Sequence, residues 1–310
     1  MRLAFRCALT AAASAALACS IPLSAPAANA APEGRQPPLA GQAPADPTAD
    51  QIVDRSVQAR GGPEAWRKVE SIVWKGRLES ERLSEHAVHF ELTEKRPNKV
   101  RFEILEPAER VLRVFDGDRG WKVRAGQDGR PTVQPFTEME VRYAREAPGL
   151  NGPLVDVTIK GRTVALEGRE KIEGHDCFRL AIRTGLGEKQ TVWVDAQTFL
   201  ELRYDRMAYG EGGPRGVVSV FYRDYRVVEG LALPSLVEIG SPSADKRDRM
   251  VVEQVALNPK VPDFAFARPP GAPRGTEVVI PPAPLPRAVL PQAATSGVPN
   301  PSPSQAPPSK

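Results

Sequence analysis

The 310-residue chain has very little cysteine and very little histidine, with three of each. Cys7 and Cys19 fall in the first thirty residues, so the body of the chain keeps Cys177 alone and no disulfide within it can form. Such a domain must hold together by its own core. The three histidines, His86, His89 and His175, are too few and too scattered for a conventional metal centre. His86 and His89 are three apart on or beside a strand, so they point to opposite faces. Aromatic residues make up 6% of the chain and the net charge is +4, with no block of one sign, which argues against nucleic-acid binding. Beyond the first thirty residues no apolar run is long enough to span a bilayer as a helix. Enzymatic motifs are missing as well. Gly210-Glu211-Gly212-Gly213 and Thr184-Gly185-Leu186-Gly187 are not followed by a helix, so they read as loops and hairpin turns rather than phosphate cradles. Cys177 has no nucleophile context and reads as a small buried residue. Nothing in the sequence calls for a cofactor or a metal, and no acid–base set converges.

What the sequence does contain begins with an export signal. Arg2 and Arg6 precede an Ala/Leu-rich stretch that ends in Ala28-Asn29-Ala30, an A-x-A cleavage pattern over residues 1–30. The expected mature chain begins at Ala31 and lies in the periplasm. Ala16-Leu17-Ala18-Cys19 offers an alternative: cleavage before Cys19 and its acylation would anchor the protein to the envelope. Residues 31–47 form a Pro/Ala-rich linker, and the Pro-rich composition of residues 268–310 predicts a disordered tail.

Between these lies one domain, Thr48 to Ala267. Thr48 and Gln51 predict a capping box, and Ile52, Val53, Ser56, Val57 and Ala59 give the apolar stripe of the helix that follows. Gly61-Gly62 stops that helix, and Pro63 opens a second short turn anchored by Trp66 and Val69. From Ile72 onward the pattern changes to period two. Ile72 and Trp74, then Val88, Phe90 and Leu92, then Val100, Phe102 and Ile104 alternate with polar residues. The region 131–160 interrupts this rhythm with a predicted helix over Thr137–Glu146. Strands return around Phe178, Leu180 and Ile182, then Leu200–Tyr204, and continue to Asn258. About eleven short strands and few helices predict a mainly β fold, a large curved antiparallel sheet, barrel or sandwich.

Several short segments, taken in order, resemble the outer-membrane lipoprotein-sorting family. They include Ala59-Arg60-Gly61-Gly62-Pro63-Glu64-Ala65-Trp66, Arg96-Pro97-Asn98-Lys99-Val100-Arg101 and Phe115-Asp116-Gly117-Asp118-Arg119-Gly120-Trp121. Leu166-Glu167-Gly168, Tyr222-Arg223-Asp224-Tyr225-Arg226 and Gly230-Leu231-Ala232-Leu233-Pro234 continue the series, so the resemblance runs from Thr48 to Phe266. It implies the fold of the lipoprotein-localization factors: an eleven-stranded half-barrel whose concave side is covered by helices and holds an apolar cavity for acyl chains, without catalysis. Apolar strand faces alone read as packed core. With the resemblance, Ile72, Trp74, Val88, Phe90, Leu92, Val100, Phe102, Phe178, Leu180, Ile182, Leu200 and Leu202 become the expected cavity lining. The expected partners are acyl chains of lipids or lipoproteins, with peripheral membrane contact and no nucleic acid. The alternative expectation is an envelope interaction or regulatory module that uses the same fold to engage a protein.

Overall fold

A computed structural model describes residues 46–81, 86–106, 111–126, 130–149, 151–157, 159–185, 187–210, 213–272 and 278. Residues 1–45, where the leader, Cys19 and most of the linker are expected, and residues 279–310 lie outside the described residues.

The capping box forms as the sequence requires. The Thr48 side chain accepts from the Gln51 amide, the Gln51 side chain accepts from the Thr48 amide, and helix α1 runs Ala49–Ala59. Gly61 and Gly62 take φ of 111° and 86°, and α2 follows at Pro63–Arg67. A Cβ at Gly61 would collide with the Gly230 carbonyl and the Leu231 side chain, so both the φ and the packing demand glycine there.

Thirteen strands then form one antiparallel sheet: β1 Ser71–Glu79, β2 Val88–Lys95, β3 Lys99–Ile104, β4 Val111–Phe115, β5 Gly120–Ala125, β6 Pro131–Pro135, β7 Thr163–Ile172, β8 His175–Arg183, β9 Lys189–Asp195, β10 Glu201–Gly210, β11 Gly213–Val228, β12 Leu231–Gly240 and β13 Asp248–Leu257. The spatial order is β6-β5-β4-β3-β2-β1-β13-β12-β11-β10-β9-β8-β7. Two meanders, β1–β6 and β7–β13, meet where β1 pairs with β13, and β6 and β7 are left as open edges. The strand count is thus thirteen where the periodicity suggested about eleven. One of the uncounted strands is β6, a short edge strand with a proline at each end, a setting in which proline is tolerated because no ladder bond is lost. The sheet is open rather than a closed barrel.

Between the meanders, α3 runs Glu138–Glu146 and is capped by the Thr137–Glu140 box. The segment 151–162 follows it. One face of the sheet is covered by these elements. Ile52, Val53 and Val57 of α1 and Leu154, Val155 and Val157 of the segment pack on Phe178, Leu180, Ile182, Val192 and Val194. The opposite face of β4 and β5 is covered by the chain's last described turns. There Phe266, from a short 3-10 helix at Asp263–Phe266, is fully buried among Leu112, Val114, Trp121 and Val123. Pro269 is also buried and Ala272 packs on the same cluster, so packed chain continues five residues past Ala267.

Candidate functional site

Phe90 of β2 and Tyr204 of β10 are five strands apart in the sheet order. In a flat sheet they would stand about 24 Å from each other. Both nevertheless line one cavity of about 330 Å³. The sheet must therefore curl around its helix-bearing face, and the cavity is the space that this curl encloses. Its walls come from β1 and β2 (Trp74, Phe90, Leu92), from β11 to β13 (Val220, Tyr222, Val237, Ile239, Met250, Val252), and from α3 and the turn after it (Tyr143, Ala147, Pro148, Gly149). Most of this surface is hydrocarbon or aromatic.

The polar groups that do reach the cavity are held in place. Arg60, the C-cap residue of α1, is buried and donates from Nη1 to Glu201 Oε2 at 3.0 Å and to the Asn151 carbonyl at 3.1 Å. Its guanidinium lies 4.7 Å from the centre of the Trp66 ring, and Trp66 Nε1 donates back to the Arg60 carbonyl. Gly152, with φ of 78°, lies against Arg60 Nη1, and any side chain there would meet the guanidinium. Burial pushes the Glu201 carboxyl above the usual range, and Arg60 opposes that shift. Tyr225 donates its hydroxyl to the Glu201 carbonyl at 2.9 Å. The Tyr204 hydroxyl is buried without a hydrogen-bond partner. Burial raises Tyr204, Tyr222 and Tyr225 far above their ordinary range, so all three are neutral. Arg206 of β10 stacks on Tyr143 of α3 at 4.7 Å, which ties the helix to the far wall.

Glu94 is the exception among the apolar residues of β2. It occupies the same phase as Val88, Phe90 and Leu92 and is half-buried. Burial pushes its carboxyl from 4.5 up to about 7, against the opposing pull of the Trp74 indole, whose Nε1 donates to Oε2 at 3.3 Å, and of Lys160. The sign for stability follows. Between about pH 4.5 and 7 the folded chain keeps a proton that the unfolded chain has released, so stability falls as pH rises through that window. Glu94→Gln keeps an acceptor for the indole and removes the charge. It should stabilise the domain by about 1–3 kcal/mol above pH 7 and by far less near pH 4.5. Urea denaturation at the two ends of the window checks this; an equal effect at both would mean that the carboxyl titrates normally.

The expected lining residues separate into five sets. Trp74, Phe90, Leu92 and Val100 line the cavity. Val88 and Phe102 pack beside Phe90, with the Phe90 and Phe102 rings stacked at 6.1 Å. Ile72, Phe178, Leu180 and Ile182 lie in the cluster covered by α1 and the 154–157 segment, and they are not among the cavity residues. Leu200 is in the β9–β10 turn, where its carbonyl accepts from Asp195. Leu202 sits at a register shift between Glu201 and Arg203 and packs on the opposite face with Ile172, Cys177, Trp193 and Phe221. The bulge reverses the phase of β10, so Glu201 and Tyr204 face the cavity where an unbroken alternation would have placed Leu200 and Leu202. Sequence periodicity missed Arg60, Glu94, Glu201 and the tyrosines. Four of the chain's five tyrosines line the cavity, and that concentration, with a carboxylate in the apolar phase of β2, was the available signal.

Among the described residues no three His, Cys, Asp or Glu side chains gather in a way that could hold a metal ion. His89 pairs with Glu106 and His175 with Asp195, each at 2.9 Å. Cys177 is buried, and burial pushes its thiol up to about 11, a value that keeps it protonated and unreactive.

No family model matches the sequence, and no curated protein matches it. Solved structures do. A LolA superfamily protein from Nitrosomonas europaea is 15% identical, with 71% of this chain and 98% of that one covered at a TM-score of 0.46. A DUF1329 family protein from Desulfovibrio piger is 14% identical, with 71% and 97% covered, also at 0.46. An outer membrane lipoprotein-sorting protein domain from Vibrio parahaemolyticus is 12% identical, with 69% and 94% covered at 0.44. In fold, the chain is similar to these LolA-superfamily, DUF1329 and lipoprotein-sorting structures.

Proposed function

We propose that this chain is a non-catalytic carrier of the cell envelope that holds an acyl chain of a lipid or lipoprotein in the cavity between β2 and β10. The observation that carries this reading is the cavity itself: a space of about 330 Å³ walled by Trp74, Phe90, Leu92, Val220, Met250 and Val252 on the inner side of the curled sheet. That volume is at the small end of the range for ligand pockets, about 300–1,000 Å³, and suits one chain rather than several. Moving a methylene from water into such a space gains about 0.8 kcal/mol. Moving it from a bilayer gains almost nothing, because lipid tails are already in hydrocarbon. A carrier needs that balance, since it must load at one membrane and release at another. The leader over residues 1–30 supplies the location, the periplasm. The resemblance stated above points the same way.

Native mass spectrometry of the full chain purified from an envelope fraction tests the proposal. The expected result is a population carrying one amphiphile per chain. Protein that is free of lipid and that co-purifies with one envelope protein would instead favour the interaction-module alternative.

A further inference from the structure

A second recess adjoins the apolar cavity. Glu94, Val100 and the Ala147-Pro148-Gly149 turn belong to the walls of both. This recess, about 270 Å³, lies between the β2–β3 turn and the chain that follows α3, and its character is cationic. Lys95, Arg96, Lys99, Arg145, Lys160 and Arg162 line it, against two carboxylates, Glu94 and Glu146.

Most of these cations are already committed. Lys95 and Lys99 share Asp263, at 2.7 and 3.1 Å. Arg96 donates to the carbonyls of Val69 and Trp66. Arg145 reaches Asp118 at 3.1 Å. Two are different. Lys160 Nζ has carbonyl partners, Pro148 at 2.9 Å and Gly152 at 3.5 Å. These dipoles hold the ammonium without neutralising it. Arg162 has a side chain only 3% exposed; its Nη2 donates to the Glu146 carbonyl and lies 3.7 Å from the Glu146 carboxylate, while Nε and Nη1 are buried with no hydrogen-bond partner. Two unpaired donors on a buried guanidinium are costly unless something accepts from them.

We propose that this recess seats the anionic head group, a carboxylate or phosphate, of an amphiphile whose acyl chain lies in the adjoining cavity, with Lys160 and Arg162 as its principal donors. The inference rests on the carrier reading and names the ligand class for that site. The fork geometry of a guanidinium suits oxyanions, and hydrogen bonds between charged partners are the stronger kind. The surroundings agree with it. Burial and the neighbouring Arg162 push the Lys160 ammonium down to about 8, and burial lifts both carboxyls of the recess above their usual range, Glu94 up to about 7. An arriving anion would relieve the crowding of positive charge. Glu94, at the boundary between the two spaces, separates the head group from the chain.

The test uses the full-length protein loaded with N-phenyl-1-naphthylamine, an uncharged apolar fluorophore. Dodecyl phosphate, dodecanoate and dodecanol then compete for it at neutral pH and low salt. The two anions should displace the fluorophore at concentrations about tenfold or more below dodecanol. Lys160→Gln should bring all three to within a few-fold of each other and leave dodecanol unchanged. Arg162→Lys, which keeps the charge, should retain part of the preference, while Arg162→Gln should lose it; thermal melts confirm that each variant is folded. Equal displacement by anions and alcohol, or a preference indifferent to both substitutions, would overturn the head-group assignment and leave the acyl cavity standing. Inorganic phosphate that binds as tightly as dodecyl phosphate would assign the recess to a free oxyanion and overturn it too. If none of the three displaces the fluorophore, the cavity reading and the head-group assignment fall together.

Discussion

Arg60→Met should destabilise the domain by about 3–5 kcal/mol in urea denaturation at neutral pH, the usual loss when one partner of a buried ion pair is removed. The side chains of Arg60 and Glu201 are 6% and 2% exposed, and Glu201 Oε1 already has no hydrogen-bond partner. Without the guanidinium, the carboxylate would be left charged inside an apolar wall. Three connections would go at once: the end of α1 to β10, the same helix end to the Asn151 carbonyl, and the stacking on Trp66. Adding Glu201→Gln to Arg60→Met should recover much of the loss, because it removes the stranded charge; the two changes should be strongly non-additive. The pH dependence has a definite sign. In Arg60→Met, burial acts on Glu201 without the guanidinium to oppose it and lifts its carboxyl further above the unfolded value. The folded state then binds the extra proton, and the deficit should shrink as pH falls. A loss under about 1 kcal/mol would mean that the pair is an incidental contact of the α1 cap.

The second large effect concerns ligand binding. Phe90 is fully buried, stacked on Phe102, and forms part of the cavity wall. Phe90→Asp would place an unpaired charge on that wall and remove the ring that packs behind it. Binding of a fluorescent acyl probe should weaken by about a hundredfold or more, equivalent to the loss of roughly 3 kcal/mol. The same substitution should cost about 3–5 kcal/mol of stability through lost packing, a large part of the total for a domain of this kind. Met250→Asp is the companion variant. Met250 is only partly buried and lines the same cavity beside the Phe90 cluster, so it should lower affinity at a smaller cost to folding. If a folded Met250→Asp variant and a folded Phe90→Asp variant both bind the probe as wild type does, the chain does not occupy this space.

The legibility of the fold in the sequence was uneven for physical reasons. Local signals survived well. The Thr48–Gln51 box, the helix expected over Thr137–Glu146, the glycines after α1 and the alternation of β1 to β3 depend on neighbours a few residues apart, and each appears where its residues call for it. Edge strands were harder to see. Pro131–Pro135 needs only one partner, β5, and its prolines read as loop. Leu202 failed for a different reason, since a bulge adds one residue to one strand and no pattern of hydrophobicity marks it in advance. Arg60 and Glu201, 141 residues apart, could be joined only by the fold. Glu94 stands in the apolar phase of β2, but the second recess that it borders is made by segments far apart in the sequence.

The acyl cavity is tested most directly by a chain-length series. Saturated acyl probes with a common head group and stepwise longer tails are titrated into the full-length wild-type protein in water. If the tail is taken into the space between Phe90 and Tyr204, saturation should occur at one probe per chain. Each added methylene should tighten binding about three- to fourfold, the equivalent of roughly 0.8 kcal/mol, until the cavity is full and the gain stops. Affinity independent of tail length, or no saturable binding at any length, would contradict the acyl-carrier account.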